Sequence, residues 1–224
     1  NRGVDMHQAP YVHGLFRDVF TGVDTRQKKA IPIGELHMLL NKDPQSEKLR
    51  RTQAIANLLF QFCGMPFSDL AHLEKSNLER GLLKYNRTKT GTPMSIEVLE
   101  SAQNAIGGLY NKSDARSSGY PDYLFRILSG AYKRNEEGAY REYQSALRRF
   151  NNELKSLSRK LRLHSPVTSY TLRHSWATTA KYRGVPIEMI SESLGHKSIK
   201  TTQIYLKGFE LEERTKVNKL NYSY

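Results

Sequence analysis

The fold class expected from the sequence is mostly α with a small antiparallel β-sheet, an α+β domain. Three observations predict it. Apolar residues recur at helical spacing through most segments. The period switches to a two-residue alternation once, between Leu82 and Val98. The last third is cut into short helices by Gly184-Val185-Pro186 and by Gly195. The chain has 224 residues, enough for one large domain with a real core.

The elements follow in order. Residues 1 to about 30 carry Gly3, Pro10, Gly14 and Gly22 without periodicity and read as a tail or linker. Pro32 opens a short helix whose apolar face is Ile33, Leu36, Met38, Leu39 and Leu40. Pro44 and Ser46 mark the next start, and Leu49, Ile55, Leu58, Leu59 and Phe62 carry a helix from Glu47 to Phe62. Gly64 and Pro66 stop it, and Phe67 to Leu73 reads as another short helix. Leu82–Asn86 and Met94–Val98 form a β-hairpin around a turn at Arg87 to Pro93. Leu99 to Tyr110 is helical, residues 112 to 122 form a loop, and a long helix runs from Glu136 to Leu161. Thr171 to Lys181 is helical again. Pro186 suits the first turn of the next helix, Gly195 its C-terminal cap, and Ser198 can cap a helix holding Thr201 to Leu206.

Thirty-five Lys and Arg face 22 Asp and Glu, a formal charge of +13. Such an excess favours a polyanionic partner, nucleic acid first and an acidic membrane surface second. Seven basic residues against two acidic ones lie between Arg141 and Arg162. By itself that run is a solvated helix face; beside the net charge it is also a phosphate-contact surface. The longest apolar-rich run, Ala54 to Phe67, is broken by Asn57 and Gln61 and is too short to cross a membrane. Cys63 is the single cysteine, which excludes an internal disulfide and a cysteine-cluster zinc site and suits a reducing cytoplasm.

Three groups suited to phosphate chemistry sit on three successive helices: Arg173 in Thr171-Leu172-Arg173-His174, His196 in Leu194-Gly195-His196, and Tyr205 in Thr201-Thr202-Gln203-Ile204-Tyr205. A phenol oxygen is a nucleophile once positioned and relieved of its proton. A guanidinium fork holds two phosphate oxygens at once, and an imidazole can donate to the same group. Each alone has a bland reading: tyrosine packing, a histidine at a helix end, a surface arginine.

Together these residues resemble the C-terminal signature of the tyrosine recombinase (phage-type integrase) family: a His-x-x-Arg pair, a Leu-Gly-His, and a Thr-Thr-x-x-Tyr nine residues beyond that His. Here they stand as Tyr170-Thr171-Leu172-Arg173, Leu194-Gly195-His196 and Thr201 to Tyr205. The family's β-hairpin lysine matches Lys89, in Arg87-Thr88-Lys89-Thr90-Gly91. The resemblance implies the family's catalytic-domain fold and a site of Tyr205, Arg173, His196, Lys89 and Tyr170. It implies attack of Tyr205 on a DNA backbone phosphate, a 3′-phosphotyrosine, and a leaving 5′-hydroxyl that Lys89 protonates. No cofactor and no metal are implied, and nothing in the chain resembles a P-loop or an acidic metal cluster.

Two departures stand out. The family's first arginine lies in Gly-x-Arg-x-Ser-Glu-Leu; here Gly64-Met65-Pro66-Phe67-Ser68-Asp69-Leu70 puts Pro66 in its place. A subgroup carries it just before the Gly, where this chain has Cys63, and no Arg lies between Thr52 and Glu79. Losing one cationic clamp costs transition-state stabilisation, so either another basic residue compensates (Arg87 or a group from the tail) or cleavage is slow. The second departure is Tyr170 for the family's first His; a phenol is a poor base near neutrality but can still donate a hydrogen bond.

The expected organisation is a linker or remnant of a core-binding domain over 1–27, a catalytic domain over 28–206, and a C-terminal tail helix over 207–224 exchanged between protomers. The expected partner is double-stranded DNA, bound by a homo-tetramer that is a monomer in solution. The setting is a mobile genetic element in a bacterial cytoplasm, at the nucleoid. The rivals are a DNA-binding member of the same fold with weakened catalysis, a helix-turn-helix regulator built on Gly184 to Leu206, and a type IB topoisomerase.

Overall fold

The computed structural model describes residues 30–110 and 120–206. The expectations for 1–27, for 112–119 of the loop and for the tail 207–224 lie outside the described residues. Within them the chain runs α1 (Ile33–Asn41), α2 (Glu47–Gln61), α3 (Phe67–Ala71), a 3-10 turn (Lys75–Asn77), β1 (Leu78–Glu79), β2 (Leu82–Asn86), β3 (Pro93–Glu97), α4 (Glu100–Leu109), α5 (Glu137–Lys160), α6 (Ser169–Tyr182), α7 (Ile187–Ser193) and α8 (Ile199–Tyr205). The mostly helical class with a small sheet is therefore the observed one.

The sheet is antiparallel in the order β1-β2-β3. Leu83 pairs with Ile96 and Asn86 with Pro93. Leu83 and Ile96 are buried on the core side, as alternation demands. Beyond the strands, Arg87 donates its backbone N–H to Thr92 O at 2.9 Å, and Gly91 donates to Arg87 O at 2.8 Å, closing the hairpin turn. Strand β1 is an addition to the expected hairpin; two residues are too few to show any period.

The main core gathers on α2. Leu58, Leu59 and Phe62 are buried with Leu70, Leu73, Leu83, Leu124, Leu154 and Leu157. Each such side chain contributes about 1.5–3 kcal/mol of burial. Phe67 of α3 stacks on Phe150 of α5 with centroids 4.7 Å apart, fastening the turn after α2 to the long helix. A smaller separate cluster holds the C-terminal helices: Ala177, Ala180, Ile190, Leu194 and Leu206, with Trp176 and Val185 against it.

Helix ends follow local chemistry. Helix α6 begins two residues before Thr171, at Ser169, because Thr168 forms a capping box: its hydroxyl accepts from the Thr171 N–H at 3.1 Å and its N–H donates to Thr171 Oγ1 at 2.8 Å. Ser198 caps α8 by accepting from the Lys200 N–H, so that helix opens at Ile199. Six of the seven basic residues from Arg141 to Arg162 lie on α5, and all seven are exposed. Among the described residues, no helix is long and apolar enough to cross a membrane.

Candidate active site

The site is built on the end of α7. Gly195 takes a left-handed φ of +64° and donates to Glu192 O at 2.7 Å, while His196 donates its N–H to Ser191 O at 3.0 Å. These two bonds are the Schellman arrangement that ends a helix. They leave the Leu194 carbonyl, at the helix end, pointing outward for other donors, and they set His196 just past the turn.

Two guanidiniums converge on that carbonyl. Arg173 of α6 donates from Nη2 to Leu194 O at 2.6 Å and from Nη1 to Gly64 O at 2.8 Å. Arg87, on the residue after β2, also donates from Nη1 to Leu194 O. Both arginines are buried. A buried guanidinium is costly unless its charge and its donors find partners: helix-end and turn carbonyls serve Arg173, while Arg87 has the Leu194 carbonyl and, at an Nε that makes no hydrogen bond, the charge of Asp69.

His196 completes the group. Its Nε2 lies 3.3 Å from Arg173 Nη2, and its Nδ1 lies 2.8 Å from Thr202 Oγ1. Burial first, then the charges of Arg173, Arg87 and Lys89, pull its pKa down to about 4. The imidazole is therefore neutral at physiological pH. Arginine can only donate, so Nε2 is the acceptor and Nδ1 carries the proton, donated to Thr202.

The hairpin docks on the same turn. The hydroxyls of Thr90 and Thr92 each point at Gly195 O from 3.4 Å. Glycine is needed at 195 twice over: for its φ, and because a Cβ there would meet Arg87 Cδ at 2.4 Å and Met94 Sδ at 2.8 Å. Gly64, also at φ +64°, brings its turn against the α6 backbone; a Cβ there would lie 3.3 Å from Arg173 Cα. Asp69 of α3 ties the hairpin from the other side. Its Oδ1 accepts the Thr88 N–H at 3.2 Å, and its Oδ2 lies 3.4 Å from Arg87 Nε, with the two side chains 1% and 8% exposed.

Of the residues singled out from the sequence, Arg173 and His196 are in contact. Lys89 sits exposed in the docked hairpin turn, close enough for its charge to act on His196. Tyr170 is exposed in the first turn of α6, three residues before Arg173. Tyr205 is the last residue of α8; its side chain lies outside the described residues. Asp69 and Thr202 join the site without a role expected from the sequence. Asp69 lay in view as the acidic residue of Ser68-Asp69-Leu70, and Thr202 as the second of the paired threonines. No group of three or more metal-ligating side chains occurs among the described residues.

Comparison with known proteins agrees with this architecture. The model of the Phage integrase family matches residues 33–211. A probable integrase/recombinase protein of Methanocaldococcus jannaschii is 28% identical over 88% of this chain and 58% of its own length. The tyrosine recombinase XerD of Halalkalibacterium halodurans is 30% identical over 80% of this chain and 57% of its own. The chain thus spans less than two thirds of either relative. In structure it is similar to a XerA recombinase (TM-score 0.63, 22% identity, 91% of this chain and 68% of that one). It is also similar to the Tn1549 transposon integrase in complex with a circular intermediate DNA (TM-score 0.60, 16% identity, 89% and 68%); at these identities the likeness concerns the fold. With four fifths of its residues inside the family model, the chain belongs to the phage integrase family of tyrosine recombinases.

Proposed function

We propose that this chain is the catalytic part of a site-specific DNA recombinase that cuts and rejoins strands through Tyr205. The observation that carries the reading is the convergence of Arg173 and His196 on the Leu194 turn, with the Lys89 hairpin docked on that same turn.

In the proposed step, Tyr205 Oη attacks a backbone phosphorus. The Oη–P bond forms and the P–O5′ bond breaks, leaving a 3′-phosphotyrosine and a free 5′-hydroxyl. When the Arg173 N–H turns from Nε2 to a phosphate oxygen, the neutral His196 has that nitrogen's lone pair free to take the phenolic proton. Once protonated, it donates to a non-bridging oxygen beside Arg173, where charge develops in the transition state. Lys89 supplies the proton to the departing O5′. Tyr170, on the Arg173 face of α6, adds a hydroxyl donor. Attack by another strand's 5′-hydroxyl reverses the step and joins new partners, so the bond energy is retained in the ester and no nucleotide cofactor is required.

The partner in this reading is double-stranded DNA, gripped by the basic surface. A homo-tetramer would assemble on it, with the 207–224 tail exchanged between protomers, residues 28–206 acting as the catalytic domain, and 1–27 leading in from a core-binding region. The setting is the recombination of a mobile element at the nucleoid; the likeness to a transposon integrase supports this. Duplexes randomised around a single nick, with the short 5′-hydroxyl fragment free to diffuse away, test the chemistry. A DNA adduct stable to denaturant, absent in Tyr205→Phe, is expected. Binding without any adduct favours the rival in which the chain only binds DNA.

A further inference from the structure

The family's first arginine is missing from its two usual places, Cys63 and Pro66. The structure nonetheless holds a second guanidinium in the site. Arg87 shares the Leu194 carbonyl with Arg173, although like charges brought to one acceptor repel. An anion placed between the two guanidiniums would relieve that repulsion.

Arg87 also stands in the neighbourhood of the vacated position. Gly64, next to Cys63, gives its carbonyl to Arg173. The hydroxyl of Tyr85, raised well above its ordinary value by burial, lies within electrostatic reach of Asp69, Arg87, Arg173 and Cys63 together. The surroundings hold Arg87 firmly: Gly195 leaves room for its Cγ and Cδ, and Asp69 faces its Nε while gripping the next residue's N–H. Guanidinium and lysine thus travel on one hairpin, two residues apart, and are set against the histidine turn as a unit.

We infer that Arg87 is the second guanidinium that holds the scissile phosphate, replacing from the β-hairpin the arginine that relatives carry at the Cys63 or Pro66 position, with Asp69 as its positioning residue. This rests on the strand-cleavage reading above. A guanidinium at this point meets the phosphate oxygens from the hairpin side while Arg173 meets them from α6. Asp69 acts through Arg87 and touches no DNA.

The test is the single-turnover rate of adduct formation on the nicked duplex pool. At saturating duplex, Arg87→Gln is expected to slow trapping about 10²–10³-fold, and Arg87→Lys to retain part of the rate. Because a lone Asp69 left in the interior endangers folding, the neutral pair Asp69→Asn/Arg87→Gln is measured beside it. That pair should melt as a folded protein and trap as slowly as Arg87→Gln. Cys63→Arg in the Arg87→Gln background should recover about tenfold or more of the lost rate. A folded neutral pair that traps within about threefold of wild type overturns the assignment, and absence of rescue overturns the equivalence with the Cys63 position. If wild type forms no adduct at all, the strand-cleavage reading fails instead. Inorganic phosphate titrated against the His196 ring resonances then decides: affinity lost in the neutral pair supports Arg87 as an anion holder, and unchanged affinity overturns it.

Discussion

Arg173 Nη2 lies 3.3 Å from His196 Nε2, and because the guanidinium can only donate, the imidazole must accept. The site before DNA arrives is therefore cationic around a neutral histidine, with its proton parked on the Thr202 side at 2.8 Å.

This arrangement predicts the titration of His196. Its folded pKa is near 4 against an ordinary value of 6.5. Above pH 6.5 folded and unfolded rings are both neutral and nothing is lost. As pH falls from 6.5 toward 4 the unfolded chain takes the proton first, so stability present above 6.5 drains away over that window. Thermal melting of wild type should fall relative to His196→Asn between those pH values. Ring NMR should report a pKa near 4 that rises in Arg87→Gln and in Lys89→Ala, each of which removes a cation. A ring titrating at its ordinary value contradicts the geometry.

The ion pair between Asp69 and Arg87, at 1% and 8% side-chain exposure, predicts an asymmetric stability pattern. Asp69→Ala leaves the buried Arg87 beside the like charge of Arg173 with no counter-charge and should cost about 3–5 kcal/mol in urea unfolding. Asp69→Asn/Arg87→Gln removes both charges and should recover most of that loss.

Gly195→Ala should be costly for two separable reasons. The left-handed φ of +64° costs an alanine about 1–2 kcal/mol. Its Cβ would also sit 2.4 Å from Arg87 Cδ, so the arginine must move off its seat. Urea unfolding measures the first effect. A shift in the His196 ring resonances, with Arg87 displaced, measures the second.

The small apolar cluster of Ala177, Ala180, Ile190, Leu194 and Leu206 is a weaker anchor than the core around Leu58 and Leu154. Amide exchange in α7 and α8 should therefore proceed through openings of lower free energy than in α2 and α5. Such a compliant segment suits a nucleophile that must reach a phosphate. Equal protection in all four helices contradicts this.

Much of this was legible in the residues. Helical periodicity around Leu49, Ile55, Leu58 and Leu59, and the punctuation by Pro186, Gly195 and Ser198, located α2, α7 and α8 within a residue or two, because caps and turns are local chemistry. Thr168 carries no usual capping signal in the sequence, because its partner at the third helical position is Thr171, where a glutamate or glutamine is the common one. Arg173 and His196 announced themselves by spacing. The contact between Asp69 and Arg87 did not: it joins α3 to a hairpin turn, and a basic turn residue ordinarily points into water. Its burial depends on the close approach that Gly195 permits across more than a hundred residues of chain.

The central claim is that a phenol oxygen at position 205 becomes esterified to DNA. Nuclease digestion of a trapped adduct, followed by peptide mass spectrometry, tests it most directly. A nucleotide joined through phosphate to the peptide containing Tyr205, and to no other tyrosine, is the predicted result. An adduct mapped to another side chain, or wild-type levels of adduct in Tyr205→Phe, would contradict it.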